Sequence, residues 1–140
     1  MSDSLLLEVL TPDRRILSAQ VTELQFPTRT QGVYGILPDH TPVMTELGDG
    51  LITYTQDGQN HWLTVFGGFA EVGPEHVTVL ARVSETVDMI DVSRAEAARQ
   101  RALQSIKDAV SESDLDRAQV ALNASLIRLQ AASKPGGHAL

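Results

Sequence analysis

Apolar and polar positions alternate with a period of two through the first half of the chain, then recur every three or four residues in the second. Thr22, Leu24 and Phe26 fall on one face of an extended segment, with Glu23 and Gln25 on the other. Asp57-Gly58 separates Leu51–Tyr54 from Trp62–Phe66, a hairpin signal because glycine accepts positive φ. Gly73-Pro74 likewise separates Phe69–Val72 from Val77–Ala81. In that last run both faces are largely apolar, which predicts a strand buried in the middle of the sheet. Many short strands divided by turns predict an antiparallel sandwich or barrel, a sheet closed onto a second sheet.

From residue 91 onward the pattern becomes helical. Ser93-x-x-Glu96 has the form of a capping box, and Asp91 is an equally good N-cap two residues earlier. Ala95, Ala98, Ala102, Leu103, Ile106, Ala109 and Val110 form one apolar stripe. Ser111–Asp114 interrupts it, with Ser113 or Asp114 expected to cap a second helix. Leu115, Ala118, Leu122, Ser125, Leu126, Leu129 and Ala132 form the second stripe. The short connection predicts an antiparallel hairpin, thinly faced with alanine and in need of tertiary support. Lys134–Leu140 reads as a frayed tail.

Composition sharpens this division. All six aromatics, eight of ten glycines and five of six prolines precede residue 89, and residues 89–134 contain none of the three. Residues 1–88 carry four bases against twelve acids (net −8), and residues 89–140 seven against six (net +1). The expected class is therefore α+β: an antiparallel β-sandwich over 1–88, then a two-helix hairpin over 89–140. Uninterrupted apolar runs reach three residues, as in Leu5-Leu6-Leu7, far short of a spanning helix. The absence of cysteine removes disulfides, thiol catalysis and zinc–cysteine sites. The net charge of −7 disfavours nucleic acid or anionic lipid as partner. The acidic, arginine-free Met1–Ser4 start argues against a signal or transit peptide.

No catalytic constellation emerges. His40, His61, His76 and His138 lack metal-ligand spacing, and Gly67-Gly68 is followed by no phosphate-binding lysine. Those glycines suit a bulge or a close approach of backbones. A small hydrolase around Asp39-His40-Thr41 lacks a nucleophile elbow. Two segments invite a partner or ligand. Gly32–Pro42 is a loop shaped by glycine and proline, in which Ile36 and Leu37 are expected to tuck under the sandwich. Its tip, Val33 and Tyr34, with His40, is equally suited to docking a partner. At Ile90–Ala95 a helix start with Arg94 suits a phosphate, although Asp91 as N-cap and Arg94 as surface charge explain the same residues without one.

Taken together, these segments resemble the epsilon subunit family of F-type ATP synthases, over nearly the whole chain. Gly32–Pro42 resembles the family's glycine–proline–histidine–proline loop, with Asp39 where glycine is common and Thr41 where alanine is common. Gly67–Val72 followed by Val77–Ala81 resembles its end-of-sandwich signature, and Ile90-Asp91-x-x-Arg94-Ala95 the motif opening its first helix. The resemblance implies a non-catalytic rotor subunit of the central stalk. Its sandwich would grip gamma and rest on the proteolipid ring, and its helices would extend into the catalytic alpha/beta hexamer to block ATP hydrolysis. Membrane contact would run through protein partners, on the cytoplasmic face of a bacterial inner membrane or the stromal face of a thylakoid. No cofactor is required. Regulatory ATP is implied by Glu85, Ile90, Asp91, Arg94 and Ala95, with Arg128 on the second helix. Ala124 stands where ATP binders often carry arginine, which implies a weakened or absent site. The competing reading is a stand-alone nucleotide-sensing or adaptor module that binds through Gly32–Pro42.

Overall fold

Strand alternation converts into structure most clearly where burial alternates too. In the computed structural model, which describes residues 3–135, Leu5, Leu7 and Val9 are buried while Leu6, Glu8 and Leu10 between them are not. Seven strands are formed: β1 (Leu5–Leu10), β2 (Arg15–Val21), β3 (Glu23–Pro27), β4 (Val33–Ile36), β5 (Val43–Gln56), β6 (Gln59–Val72) and β7 (His76–Val83). They are hydrogen-bonded in the order β2-β1-β7-β6-β5-β3-β4. Every neighbouring pair is antiparallel except β1 and β7, which run parallel.

The β5–β6 hairpin holds the architecture together. Each strand has 14 residues, more than twice the usual strand length, so the pair spans two layers. Residues 66–72 of β6 carry β7, and through it β1 and β2, whereas residues 53–55 of β5 carry β3 and β4. The far ends close up where the Thr22 N–H donates to Thr55 O at 2.9 Å and Gln56 Nε2 donates to Gln20 O at 3.1 Å. Between the layers lies one core, in which Phe26, Leu24, Ile36, Ile52, Leu63 and Val65 are at most 1% exposed. Each such side chain contributes about 1.5–3 kcal/mol of burial.

Gly68 permits the bend. Its φ is +120°, and a Cβ there would lie 2.8 Å from the Ala81 Cα and closer still to Leu80 O. The expected close approach of backbones at Gly67-Gly68 is therefore present, as is the Asp57-Gly58 turn, with φ of 52° and 77°.

The second unit, Val87–Leu140, contains a 3-10 turn (Val87–Met89), α1 (Val92–Asp108) and α2 (Glu112–Ala132). Asp91 caps α1, accepting the Arg94 N–H at 3.0 Å, so of the two candidate caps the earlier is used. Ser111 caps α2 by accepting the Asp114 N–H at 3.1 Å. This corrects the expectation of Ser113 or Asp114, and the helix starts two or three residues earlier because Ser111 already offers the oxygen. α1 and α2 pack on one another across a short connection as an antiparallel pair.

Several side chains depart from their expected faces. Thr22 precedes β3 and is exposed, although Leu24 and Phe26 are buried as the alternation requires. Val110, at 92% exposure, lies beyond the end of α1. Leu126 is 46% exposed while Ile127 and Ala131, outside the expected stripe, are buried. β7 is interior to the sheet, yet Leu80 points outward at 53% exposure, so one of its two apolar faces is uncovered among the described residues. Of the expected tail, residues 136–140 lie outside the described residues.

Candidate functional site

The Gly32–Pro42 segment is partly strand. Val33–Ile36 forms β4, an edge strand, paired only with β3 among the described strands. Alternation on this edge sends Tyr34 and Ile36 inward and Val33 outward. Ile36 is 1% exposed, as expected, and Val33 67%. Leu37 is 59% exposed, which corrects the expectation that it tucks beneath the sandwich. It follows the last β4 residue and so leaves the alternation that buries Ile36.

Tyr34 and His40 are brought together. Their rings meet edge-on at 5.8 Å, and Tyr34 also tilts against Phe26 at 6.0 Å. The His40 Nδ1 lies 2.7 Å from Thr41 O, an arrangement that places a proton on Nδ1. Asp39 adopts φ of +66°, and its N–H donates to Pro74 O at 2.8 Å, tying the loop to the β6–β7 turn. Beside Tyr34 is a cleft of about 210 Å³, also lined by Arg29, Met44 and Glu46. Arg29 and Glu46 pair across it at 2.8 Å, and this hydrogen bond holds the guanidinium above its ordinary pKa. The result is a rigid, aromatic-backed edge with Val33 and Leu37 presented outward.

A second surface was missed by the sequence pattern. The register sets Leu10 beside Leu80, Leu80 beside Phe69, and Phe69 beside Glu46. Phe69, Leu80 and Met44 are 51%, 53% and 65% exposed, so apolar groups run across three strands on the outer face. The signal was present in Phe69-Ala70-Glu71-Val72, where the small residue and the valine are buried and the phenylalanine shares its face with a glutamate. Phe69 and Leu80 lie side by side, and exposed apolar groups gathered on one sheet face are a feature of protein-binding surfaces.

The residues implied as nucleotide ligands have separate local roles. Glu85 belongs to the first unit, where its N–H donates to Thr64 Oγ1 at 3.0 Å. Ile90 and Ala95 are buried, at 4% exposure each. The Asp91 carboxylate is used by the α1 cap, and the exposed Arg94 supplies the N–H it accepts. Arg128 is half-buried on α2, whose C-terminal turns lie beside the start of α1 in the antiparallel pair and also touch the 3-10 turn. Between the helices runs an open groove of about 550 Å³, floored by alanines and flanked by Arg101, Asp108, Asp114 and Arg117. None of the implied ligands lines it. Among the described residues, no three His, Cys, Asp or Glu side chains are grouped to hold a metal ion. No described helix is long and apolar enough to cross a membrane.

Comparison with known proteins fits this geometry. The family model for the ATP synthase delta/epsilon chain β-sandwich domain matches residues 4–93, and that for its long α-helix domain matches residues 88–133. The ATP synthase epsilon chain of Herpetosiphon aurantiacus is 42% identical over 126 residues, covering 90% of this chain and 92% of that one. That of Nitratidesulfovibrio vulgaris is 41% identical over 130 residues, covering 93% and 96%. Among solved structures, a chain of the Euglena gracilis mitochondrial ATP synthase superposes with a TM-score of 0.80 at 20% identity, over 96% of this chain and 84% of that one. A chain of the Tetrahymena thermophila mitochondrial ATP synthase gives 0.60 at 12% identity, over 92% and 96%. At such identities these two bear on the fold. With both units matched in order and relatives aligned over nine-tenths of its length, the chain belongs to the ATP synthase delta/epsilon chain family, as an accessory rather than a catalytic subunit.

Proposed function

We propose that this chain is the epsilon-type subunit of the central stalk in a proton-translocating F-type ATP synthase. In this reading the sandwich joins gamma to the proteolipid ring, and the helices restrain ATP hydrolysis by the alpha/beta hexamer. The observation that carries it is the pairing, in one chain, of a rigid sandwich with exposed apolar surfaces and a separate, thin helical pair. Torque transfer needs stiffness and broad contact, and the continuous two-layer sheet with its rigid edge at Val33, Tyr34 and His40 supplies both. The subunit would sit at the cytoplasmic face of a bacterial inner membrane, or the stromal face of a thylakoid, held there by protein partners. A place in the central stalk beside a c-ring is in keeping with the Tetrahymena match, a structure of a mitochondrial central stalk and c-ring.

The helical region suits a movable brake. Its inter-helix face is largely alanine, with Ala95, Ala102 and Ala118 buried, so packing buries little area per turn and rearrangement costs little. ATP has a minor part at most in this reading. Asp91 already accepts the Arg94 N–H, one of the α1 N-terminal donors that a phosphate would need, and a carboxylate there repels one. Titration of ATP into the chain and its Arg94→Ala variant tests this: weak, Arg94-dependent binding supports the reading, and tight binding unaffected by the substitution contradicts it.

The assembly itself is tested by affinity capture of the tagged chain from detergent-solubilised membranes. Co-purification of gamma and the catalytic subunits is the expected result. Their absence, with the sandwich intact, would favour a stand-alone adaptor.

A further inference from the structure

The groove between α1 and α2 has a polarity along its length. Apart from four charged residues, every side chain that lines it is alanine or serine. On α1, Arg101 and Asp108 are seven positions apart, two turns, and share one face. On α2, Asp114 and Arg117 are three apart and likewise share a face. In each helix the acid is the member nearer the connection, so the groove is acidic at that end and basic away from it. Among the described residues, no ion pair or side-chain hydrogen bond engages Arg101, Arg117 or the Asp114 carboxylate, and the Asp108 carboxylate accepts only Gln104 Nε2 at 3.1 Å.

This polarity is self-complementary in one arrangement. A second copy laid face to face with its helices reversed sets acid against base, whereas a copy laid in the same direction sets like against like. The midpoint of Arg101 and Asp108 and the midpoint of Asp114 and Arg117 lie equally far along the chain from Val110, at the centre of the connection. Because the helices are antiparallel, a single two-fold axis across the groove therefore serves both. Asp108 then meets Arg101 of the second copy, Asp114 meets its Arg117, and the symmetry repeats each pair. The axis passes beside Ser105, where small side chains let two helices approach closely. Residues 89–140 are near neutral (net +1), so like-charge repulsion does not oppose the contact.

We propose that this groove is a self-pairing surface, and that its occupant is the same groove of a second copy with its helices reversed. The pairing concerns the free chain and does not rest on the functional reading above. Exposed ion pairs contribute little singly and alanine offers little area, so the pairing is weak, reversible and sensitive to salt.

The sequence contains no cysteine, so a single introduced one reports the contact without background. Ser105 lies next to the axis, and Ser105→Cys in the full-length chain should form a disulfide-linked dimer on mild oxidation with diamide. Ala98 lines the same groove, but two copies of it would lie about 20 Å apart along the helices. A disulfide spans roughly 7 Å at most, so Ala98→Cys should link at least tenfold more slowly. Salt at about 1 M should bring the Ser105→Cys rate down to that of Ala98→Cys. Equal rates at low salt, or a Ser105→Cys rate indifferent to salt, would overturn the proposal, because random collision would explain the linkage. Sedimentation velocity of the native chain at up to about 1 mM should show a monomer–dimer equilibrium that salt shifts to monomer, and a monomer throughout would overturn it. Orientation is read from charge reversal, with native helicity at 222 nm as the control. Arg101→Glu with Arg117→Glu, and Asp108→Arg with Asp114→Arg, should each be monomeric alone and pair when mixed. A dimer that survives in either variant alone would place the contact elsewhere, and failure of the mixture to pair would remove the reversed arrangement.

Discussion

Replacing Gly68 with alanine should damage the sandwich more than any comparable single-atom change. At φ of +120° an L-residue is held in a region populated almost only by glycine, at a cost of about 1–3 kcal/mol. The added Cβ would also sit 2.8 Å from the Ala81 Cα, and closer to Leu80 O. Both are backbone atoms of a strand paired on its other side with β1, so neither can withdraw freely. Forcing them apart adds an overpacking cost of about 1–3 kcal/mol. The sum, about 4 kcal/mol, is a large share of the roughly 5–15 kcal/mol that a domain has. Urea unfolding followed by the fluorescence of Trp62, the single tryptophan and a β6 residue, reports on this unit. Gly35→Ala is the control: no heavy atom lies within 4 Å of its Cβ position, and the change should stay within about 0.5 kcal/mol. A loss below about 1 kcal/mol for Gly68→Ala, or equal losses in the two variants, would refute the view that this glycine permits the bend between layers.

The remaining predictions concern the caps, the loop and pH. Asp91→Ala should cost the helical unit about 1 kcal/mol by orphaning the Arg94 N–H, and Asp91→Asn much less, in thermal melts followed by circular dichroism at 222 nm. Asp39→Gly should stabilise the sandwich by up to about 1 kcal/mol, seen as a slightly higher melting temperature, since glycine relieves the φ of +66° at little steric cost. A fall in melting temperature would show instead that the Asp39 carboxylate has a stabilising contact. Hydrogen bonds from Arg99, and secondarily from Gln100, hold Glu96 below the ordinary glutamate pKa. A depressed carboxylate favours the fold above its unfolded pKa and loses that contribution as pH falls through the folded value. Helicity of α1 should therefore weaken on acidification below the ordinary glutamate range, and Glu96→Gln should flatten that dependence. An NMR titration giving Glu96 an unshifted pKa would contradict it.

What the sequence reveals here follows from which forces act locally. The Leu24/Phe26 alternation, the Asp57-Gly58 turn and the loss of glycine, proline and aromatics after residue 88 are local signals, and each appears where it was read. The parallel seating of β1 beside β7 joins segments some 70 residues apart and leaves no local trace. Burial faces failed where apolar residues surround an element. α2 carries leucine, isoleucine or valine at positions 120, 122, 126, 127 and 129, so spacing alone could not prefer Ile127 over Leu126. Leu80 was misjudged for a related reason, because an apolar residue kept for a partner looks like one kept for the core. Within the candidate sites, the Tyr34–His40 contact depends on Asp39 reversing the chain.

The central claim is that this chain acts by holding neighbours and moving its helices, and one measurement bears on it most directly. ATP hydrolysis is compared for reconstituted ATP synthase carrying either the full chain or residues 1–88. Faster hydrolysis with the truncated chain, with gamma still bound to the sandwich, is the expected result. Identical inhibition by both forms would contradict it.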